Sequence, residues 1–355
     1  MNEPKYKVFV KCFTFNQSLY ITDTLNGFCA QQTNFPFVCC IIDDASSDGE
    51  PEVIKQYLKD HFDFSDTESY TYETDEAIFY YAPHKRNRNC FFAVLLLKVN
   101  LFKNEEKKNA LISRWADNSK YEAICEGDDY WIDQHKLQKQ VDYMESHPDC
   151  SLCHTCFKFY YQDDNKFLVD SGPAIKDDSA ALEQVVSGYY VQTCTALYKV
   201  DDRIDFRKKN AFLFGGYFKM GDFPTWYELR KRGYVHWLSD VTSVYRKNSG
   251  SLTRASSVAS YYRFALSSAE IRYYVTTKDR LSDNLVKETY NKFRKALVNY
   301  LGFEKSFVSE VPFHYSLNRR ERFLISSGIL RKYLSMRLLL QQQLGKWYRQ
   351  FKSKY

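Results

Sequence analysis

Two apolar runs that each break into acids constrain this chain more than any other feature. FVCCII at 37–42 ends in Asp43-Asp44-Ala45-Ser46-Ser47-Asp48-Gly49, and YEAIC at 121–125 ends in Glu126-Gly127-Asp128-Asp129. A short continuous apolar run is the pattern of a parallel strand covered on both faces. Residues 6–13 and AIFYYA at 77–82 read as further strands, and helices are predicted over 18–32 and from about Pro51 to Leu58. Leu19, Ile21, Leu25 and Phe28 carry the helical spacing of the first, and Pro51 suits a first helical turn. This β-α-β-α-β order favours an open α/β sheet.

In such sheets ligands bind beyond the carboxyl ends of the strands, so two acid-bearing strand ends can converge on one site. Acids at the mouth of a site that holds phosphate need a cation between them, and Mg2+ or Mn2+ favours carboxylate and phosphate oxygens. Taken singly, each cluster also fits a turn or a helix N-cap. Paired acids after a strand serve phosphatases and nucleases as well. The pattern alone therefore reaches metal-assisted phosphate chemistry and stops there.

At 355 residues the chain holds one large domain, or two lobes with an appendage. The second half reads as a helix ended by Pro148, strands at 151–161 and 188–200, a helix at 224–233 and a strand at 234–246. Beyond residue 255 the pattern is helical and basic. The formal charge of +6 is uneven. Residues 319–355 carry ten Lys or Arg against Glu321 alone, so the body of the chain is slightly acidic. That distribution argues against a general nucleic-acid binder. The start does not resemble a signal peptide and no apolar run reaches the ~18 residues of a membrane span, so a cytoplasmic location is expected.

The ten cysteines are scattered. Cys12, Cys39, Cys40 and Cys125 sit in apolar runs as small hydrophobes. Cys150, Cys153 and Cys156 cluster with His154, but there is no CxxC outside this cluster and the stretch reads as a strand, so no metal is expected there. The 29 Tyr and 27 Phe fill a core or provide stacking surfaces.

An ordered series of short motifs then carries a resemblance. It comprises Phe13-Thr14-Phe15-Asn16-Gln17, the 42–49 stretch, Cys125 to Trp131, Lys136 to Gln140, Gly221-Asp222-Phe223-Pro224-Thr225-Trp226, and Ser243-Val244-Tyr245-Arg246. Across about residues 5 to 250 the chain resembles an inverting glycosyltransferase of family 2, of the bacterial surface-polysaccharide type. The resemblance implies the GT-A fold, a nucleotide-sugar-binding α/β fold with a mostly parallel open sheet. Its catalytic domain would span 1–250, with the nucleotide in about 1–130 and the acceptor in 131–250, and 251–355 would form a helical basic extension.

What the resemblance implies about residues follows the same motifs. Thr14, Phe15, Asn16, Asp43 and Asp44 would hold the nucleoside of a nucleotide-diphosphate sugar, with a UDP-sugar favoured. Asp128 and Asp129 would carry Mn2+ or Mg2+ against the diphosphate. Asp222 would be the general base for the acceptor hydroxyl, a role compatible with capping a helix before Pro224. Trp131 and Trp226 wall the sugar or fill the core, and Thr193 borders an acceptor pocket or lies buried in a strand.

Two departures stand out. Where family members often carry a His after the Tyr-Arg pair, this chain has Lys247-Asn248, so Lys247 or Arg246 is expected to grip the diphosphate. The stretch from His84 to Asn118 lacks the usual diphosphate-facing turn, and the Lys and Arg within 84–89 are expected to replace it. A catalytically inactive GT-A binding subunit of a polysaccharide-assembly complex is the alternative that these departures support. In 319–355, apolar residues recur at helical spacing among Arg and Lys, as in a helix lying on an anionic membrane. A glycan or lipid-linked acceptor would fit that surface.

Overall fold

The computed structural model describes residues 4–102, 104–169, 178, 181–188, 191–247, 257–304, 307 and 316–352. It divides into two compact units, one of residues 1–211 with 225–247, the other of 212–224 with 248–355.

The first unit contains β1 (Tyr6–Thr14), α1 (Ile21–Cys29), β2 (Phe37–Asp43), α2 (Glu50–His61), β3 (Tyr70–Glu73), β4 (Ala77–Pro83), β5 (Cys90–Leu97), α3 (Glu105–Ala116) and β6 (Ser119–Ile124). It continues through β7 (Tyr130–Trp131), α4 (Lys136–Ser146), β8 (Cys150–Tyr161), β9 (Lys166–Val169), α5 (Leu182–Ser187), β10 (Leu197–Lys199) and α6 (Val200–Lys209). The short α7 (Ala211–Phe214) and α8 (Asp222–Arg230) span the division, and β11 (Tyr234–Lys247) is the last strand in sequence.

The strands form one sheet in the order β3-β4-β5-β2-β1-β6-β10-β8-β11-β7, with β9 on β8. β5, β2, β1 and β6 are mutually parallel. β10 is antiparallel to both β6 and β8, so β8 and its parallel neighbour β11 run with β1. Every residue of β2 is buried. Alternate side chains enter two cores, as strand geometry requires. Val8, Val10, Cys39, Ile41, Phe92 and Val94 face α1, α2 and α4, which contribute Phe28, Ile54 and Leu137. Phe9, Cys40, Ile42, Ala93 and Leu95 face α3, which contributes Ile112 and Trp115. Both faces of the central strands are thus covered, as their unbroken apolar runs predict.

Several expectations are corrected. AIFYYA is a strand as expected, but β4 pairs antiparallel with β3 and β5, and it is the unexpected β5 that pairs parallel with β2. The helix predicted over 18–32 begins only at Ile21 and ends at Cys29. Among the described residues of the strand expected at 188–200, Leu197–Lys199 pairs as a strand and Thr193–Thr195 forms a 3-10 turn. The stretch after His84 is an element of the fold rather than a turn. Cys90–Leu97 is a core strand, and Asn104 caps α3 by accepting the Lys107 N–H at 3.0 Å.

The second unit holds α9 (Val258–Lys278), α10 (Asp283–Leu301), α11 (Arg319–Ser326) and α12 (Ile329–Lys352). Leu266, Phe293, Leu297 and Leu301 form its core. Glu321 receives both a capping bond from the Asn318 N–H and the Arg294 guanidinium at 2.6 Å. The basic tail is therefore two helices, broken at Gly328, whose φ of 69° lies in the left-handed region. Among the described residues no helix is long and apolar enough to cross a membrane.

Candidate active site

Because β1, β2, β5, β6, β8 and β11 share one direction, the loops after Thr14, Asp43, Leu97, Ile124 and Tyr161 leave one edge of the sheet. This edge is where an open α/β sheet binds ligands. Thr14 and Asp43 end their strands side by side. The Asp44 N–H donates to Thr14 O at 3.0 Å, and the Gly127 N–H to Phe13 O at 3.1 Å, bringing the three motif loops together.

The first two loops are sewn by side chains. Asn16 adopts a left-handed φ of 53° and Ala45 one of 60°, a conformation that costs a non-glycine residue about 1 kcal/mol or more. The Asn16 N–H donates to Ser46 Oγ at 2.8 Å, and Asn16 Oδ1 accepts the Ser47 N–H at 2.9 Å. Phe15 projects outward and is about half exposed. Asp43 closes a turn by accepting the Ser46 N–H at 3.2 Å, while its Oδ1 is buried without a partner. Burial raises the Asp43 carboxyl pKa against the opposing Ser46 bonds.

Glu50, which the motifs do not single out, lies at the centre of this stitching. It is fully buried at the start of α2. Its carboxylate accepts the Gln17 N–H at 2.8 Å and the Ser46 hydroxyl at 2.9 Å, and Thr14 Oγ lies in close contact. Thr14 Oγ also faces Gln17 Oε1 at 2.8 Å. One hydroxyl proton cannot serve two acceptors, so the set is completed either by a proton on Glu50 or by a Gln17 amide turned to donate its N–H to Thr14 Oγ. Burial raises the Glu50 carboxyl in the sense of the first.

Asp44 is also buried, and the protein engages both of its oxygens. Oδ1 accepts the Leu101 N–H at 2.5 Å and Oδ2 meets Lys108 Nζ at 2.9 Å. Lys108 comes from α3, whose spacing only the structure reveals.

The third loop carries Asp128 and Asp129. Asp129 is buried; its Oδ1 accepts the backbone N–H of Arg246 at 2.9 Å and its Oδ2 has no nitrogen or oxygen donor. Burial, then the neighbouring Asp128, pushes its pKa well up. Asp128 is half-buried, and burial raises its carboxyl too, with Arg246 acting against it. Gly127 is required by space, since an added Cβ would stand 2.2 Å from Thr14 Oγ.

Arg246 is a tie rather than an open phosphate grip. Its Nε donates to Asp128 O at 2.9 Å, one terminal nitrogen to Gln162 Oε1 at 2.6 Å and the other to Asp23 at 2.7 Å. Tyr20, Tyr130 and Tyr160 stack around the guanidinium. These residues, with Leu19 and Phe167, line a cavity of about 500 Å³. Lys247 lies over the Phe159 ring, and Asn248 falls outside the described residues.

The basic residues at 84–89 do not replace a diphosphate grip. They precede β5, whose first residue pairs with the first of β2, so they lie at the opposite edge of the sheet. Lys85 donates to the carbonyls of Lys59 and Asp60, and Arg88 pairs with Asp63 and Asp66. Trp131 and Trp226 are buried, with Trp131 Nε1 bonded to Cys194 O at 2.9 Å. Lys136 is fully buried, donating to Gln140 at 2.7 Å, and burial lowers its pKa to about 8. Asp222 opens α8 in the second unit, where its Oδ1 accepts the Phe223 N–H at 2.8 Å and its charge acts on Arg272.

The architecture is the GT-A fold: an open α/β sheet, parallel at its centre, with acid-bearing loops at its carboxyl edge. Residues 12–91 match the sequence profile of glycosyl transferase family 2. The fold is similar to that of TarS from S. aureus. TarS 1–349 in complex with UDP-GlcNAc superposes with a TM-score of 0.51 at 15% identity, covering 91% of this chain and 79% of that one. TarS 1–349 alone gives 0.50 at 15%, over 91% and 78%. Two mycobacterial relatives, uncharacterized proteins Rv1520 of Mycobacterium tuberculosis and Mb1547 of Mycobacterium bovis, are 29% identical over 186 residues. That match spans 52% of this chain and 45% of each relative, so the chain covers less than half of their length.

Proposed function

We propose that this chain transfers a sugar from a nucleotide-diphosphate donor to an acceptor hydroxyl with inversion. The observation that carries this reading is the convergence of the 14–18, 43–50 and 126–129 loops on one carboxyl edge, the first two within the residues that match the family profile. Residues 1–250 would hold the transfer site, with the nucleotide in about 1–130 and the acceptor in 131–250. The UDP-GlcNAc bound by TarS supports a UDP-sugar as donor.

The half-exposed Phe15 ring offers a face for the base, and Asn16 and Asp43 lie beside it in sequence and strand register. Asp44 has two oxygens already engaged, but a carboxylate accepts about four bonds, which leaves capacity for a ribose hydroxyl or base N–H. Asp44 would then both bind the nucleoside and anchor α3.

A divalent cation fits the residues present. Asp128 and Asp129 supply hard oxygen donors, and Asp129 Oδ2 is a buried acceptor without a nitrogen or oxygen donor. Among the described residues no group of three or more His, Cys, Asp or Glu is placed to hold a metal. Mg2+ and Mn2+ commonly take one or two carboxylates plus substrate phosphates. Asp128 is the more accessible direct ligand, because it is half-buried whereas Asp129 is buried with Oδ1 taken by the Arg246 N–H. When bound, Mn2+ or Mg2+ would neutralise the departing nucleotide diphosphate. Asp222 would take the acceptor proton, a step worth roughly 10²- to 10⁴-fold.

A glycan or lipid-linked acceptor in surface polysaccharide synthesis, and contact of 319–355 with an anionic membrane, belong to the same reading. The test is a nucleotide-release assay with UDP- and GDP-sugars and Mn2+. Release of one nucleoside diphosphate, lost in Asp222→Asn, supports the transferase. Nucleotide binding without turnover points to the inactive binding subunit, and release of inorganic phosphate to a phosphohydrolase.

A further inference from the structure

Among its described side chains α12 has two apolar faces, and one of the two is packed. Leu334 is buried, with the Tyr262 hydroxyl donating to its carbonyl at 3.4 Å, and Leu330 and Leu338 beside it are half-buried. On the other side Ile329, Tyr333, Met336, Leu340 and Leu344 are each at least half exposed. The sequence continues that spacing at Trp347 and Phe351, still within the helix.

The steps between these positions run four, three, four and then four, three, four. That is an eleven-residue repeat, which advances roughly 3.67 residues per turn against 3.6 for a straight helix. From Ile329 to Leu344 the stripe therefore stays on one side of the helix, over about 22 Å at ~1.5 Å per residue. A left-handed pairing of two helices would instead ask for a seven-residue repeat.

The flanks are basic. Lys332 and Arg337 border the stripe on its two sides and are exposed, and Arg331 is exposed as well. Lys346, Arg349 and Lys352 follow in the sequence, and no Asp or Glu occurs from Ile329 to Tyr355. A straight apolar stripe between cationic borders complements an anionic bilayer surface, where apolar side chains enter the acyl boundary and Lys or Arg meet headgroups.

We infer that α12 is an in-plane anchor that docks on anionic lipid through the Ile329–Leu344 stripe. α11 is not required for it. The inference deepens the membrane contact proposed above but stands on the helix alone, so it does not depend on sugar transfer.

Flotation of the full chain with vesicles tests it, using phosphatidylcholine alone and with roughly 30% phosphatidylglycerol. The expected result is binding to the anionic vesicles, at least about tenfold weaker to phosphatidylcholine, and weakened by ~0.5 M salt. Met336→Glu/Leu340→Glu replaces exposed residues only, with folding checked by circular dichroism. It is expected to lower anionic-vesicle binding at least about tenfold, whereas Phe323→Glu on α11 leaves it unchanged. Absence of wild-type binding, or equal binding by the double variant, overturns the inference. So does a wild-type dimer in sedimentation that the double variant dissociates while neither binds vesicles. Nucleotide titration of the same samples reports on the transfer site separately, so the two proposals can fail independently.

Discussion

Lys108 Nζ stands 2.9 Å from Asp44 Oδ2, and both side chains are less than one-tenth exposed. This pair joins α3 to the loop after β2, so the packing of one helix fixes an acid proposed to bind nucleoside. Removing one partner of a buried pair leaves the other charge unpaired, which typically costs about 3–5 kcal/mol. Lys108→Met should therefore lower stability by that order in urea denaturation. Asp44→Asn/Lys108→Met should recover part of the loss, and a double-mutant cycle measures the coupling. Additive losses would mean that the ion pair contributes nothing.

Arg246 holds Asp23, Gln162 and the Asp128 carbonyl through three separate donors. A lysine keeps the charge but cannot span these three acceptors. Arg246→Lys should cost about 3 kcal/mol, since two of the three bonds would be lost at roughly 1.5 kcal/mol each, the lower end for bonds to charged groups. Metal-dependent nucleotide binding should weaken with it, because the loop bearing Asp128 loses its tie. An unchanged urea midpoint would contradict the assignment of Arg246 as a tie.

Burial raises the Glu50 carboxyl pKa, with the bonds from Thr14, Gln17 and Ser46 opposing the shift. Below the ordinary glutamate range the folded and unfolded states both hold the proton, and the shift costs nothing. As pH rises through the raised value, the unfolded chain ionises first and wild-type stability falls. The melting temperature of wild type relative to Glu50→Gln should therefore decline from about pH 4 upward and level off above the folded pKa. A flat difference would show that Glu50 is ionised at its ordinary pKa in the fold.

The correction at 84–89 has its own test. Lys85→Ala and Arg88→Ala remove bonds at the opposite edge of the sheet from the acids. Nucleotide affinity should change less than about twofold, because exposed ion pairs contribute about 0–1 kcal/mol and these lie away from the site. A tenfold loss in titration would return these residues to the diphosphate.

The central fold was legible where one element's own residues decide it. FVCCII had to be covered on both faces, and its break into Asp43-Asp44 marked the carboxyl edge. CFFAVLLL carries the same signal, but basic flanks resembling a binding turn obscured it, and the strand direction that separates His84–Asn89 from the site is a property of the whole sheet. Glu50 and Lys108 could not be found from spacing. Glu50 is an ordinary first-turn acid until Thr14, Gln17 and Ser46 close around it, and Lys108 is one lysine among several until α3 docks. Arg246 was visible in its motif, yet its partners Asp23 and Gln162 lie far from it in sequence. The extent of the tail was readable from charge, whereas the break at Gly328 and the packed face around Leu334 required the fold.

Gly127 offers a geometric check. Its missing Cβ leaves room for Thr14 Oγ and Gln17 Oε1. Gly127→Ala should cost about 1–3 kcal/mol, as overpacking does, and displace the loop that carries Asp128. Thermal denaturation with a nucleotide titration reads both effects, and wild-type behaviour in both would refute the close approach.

The most direct test of the central claim is isothermal titration of UDP and GDP into the full chain, with and without Mn2+, for wild type and Asp128→Asn. The account predicts that one nucleotide binds wild type with affinity that rises on adding Mn2+, and that Asp128→Asn abolishes the rise while remaining folded. No binding to folded wild type under any metal condition, or an equal response to Mn2+ in Asp128→Asn, would contradict it.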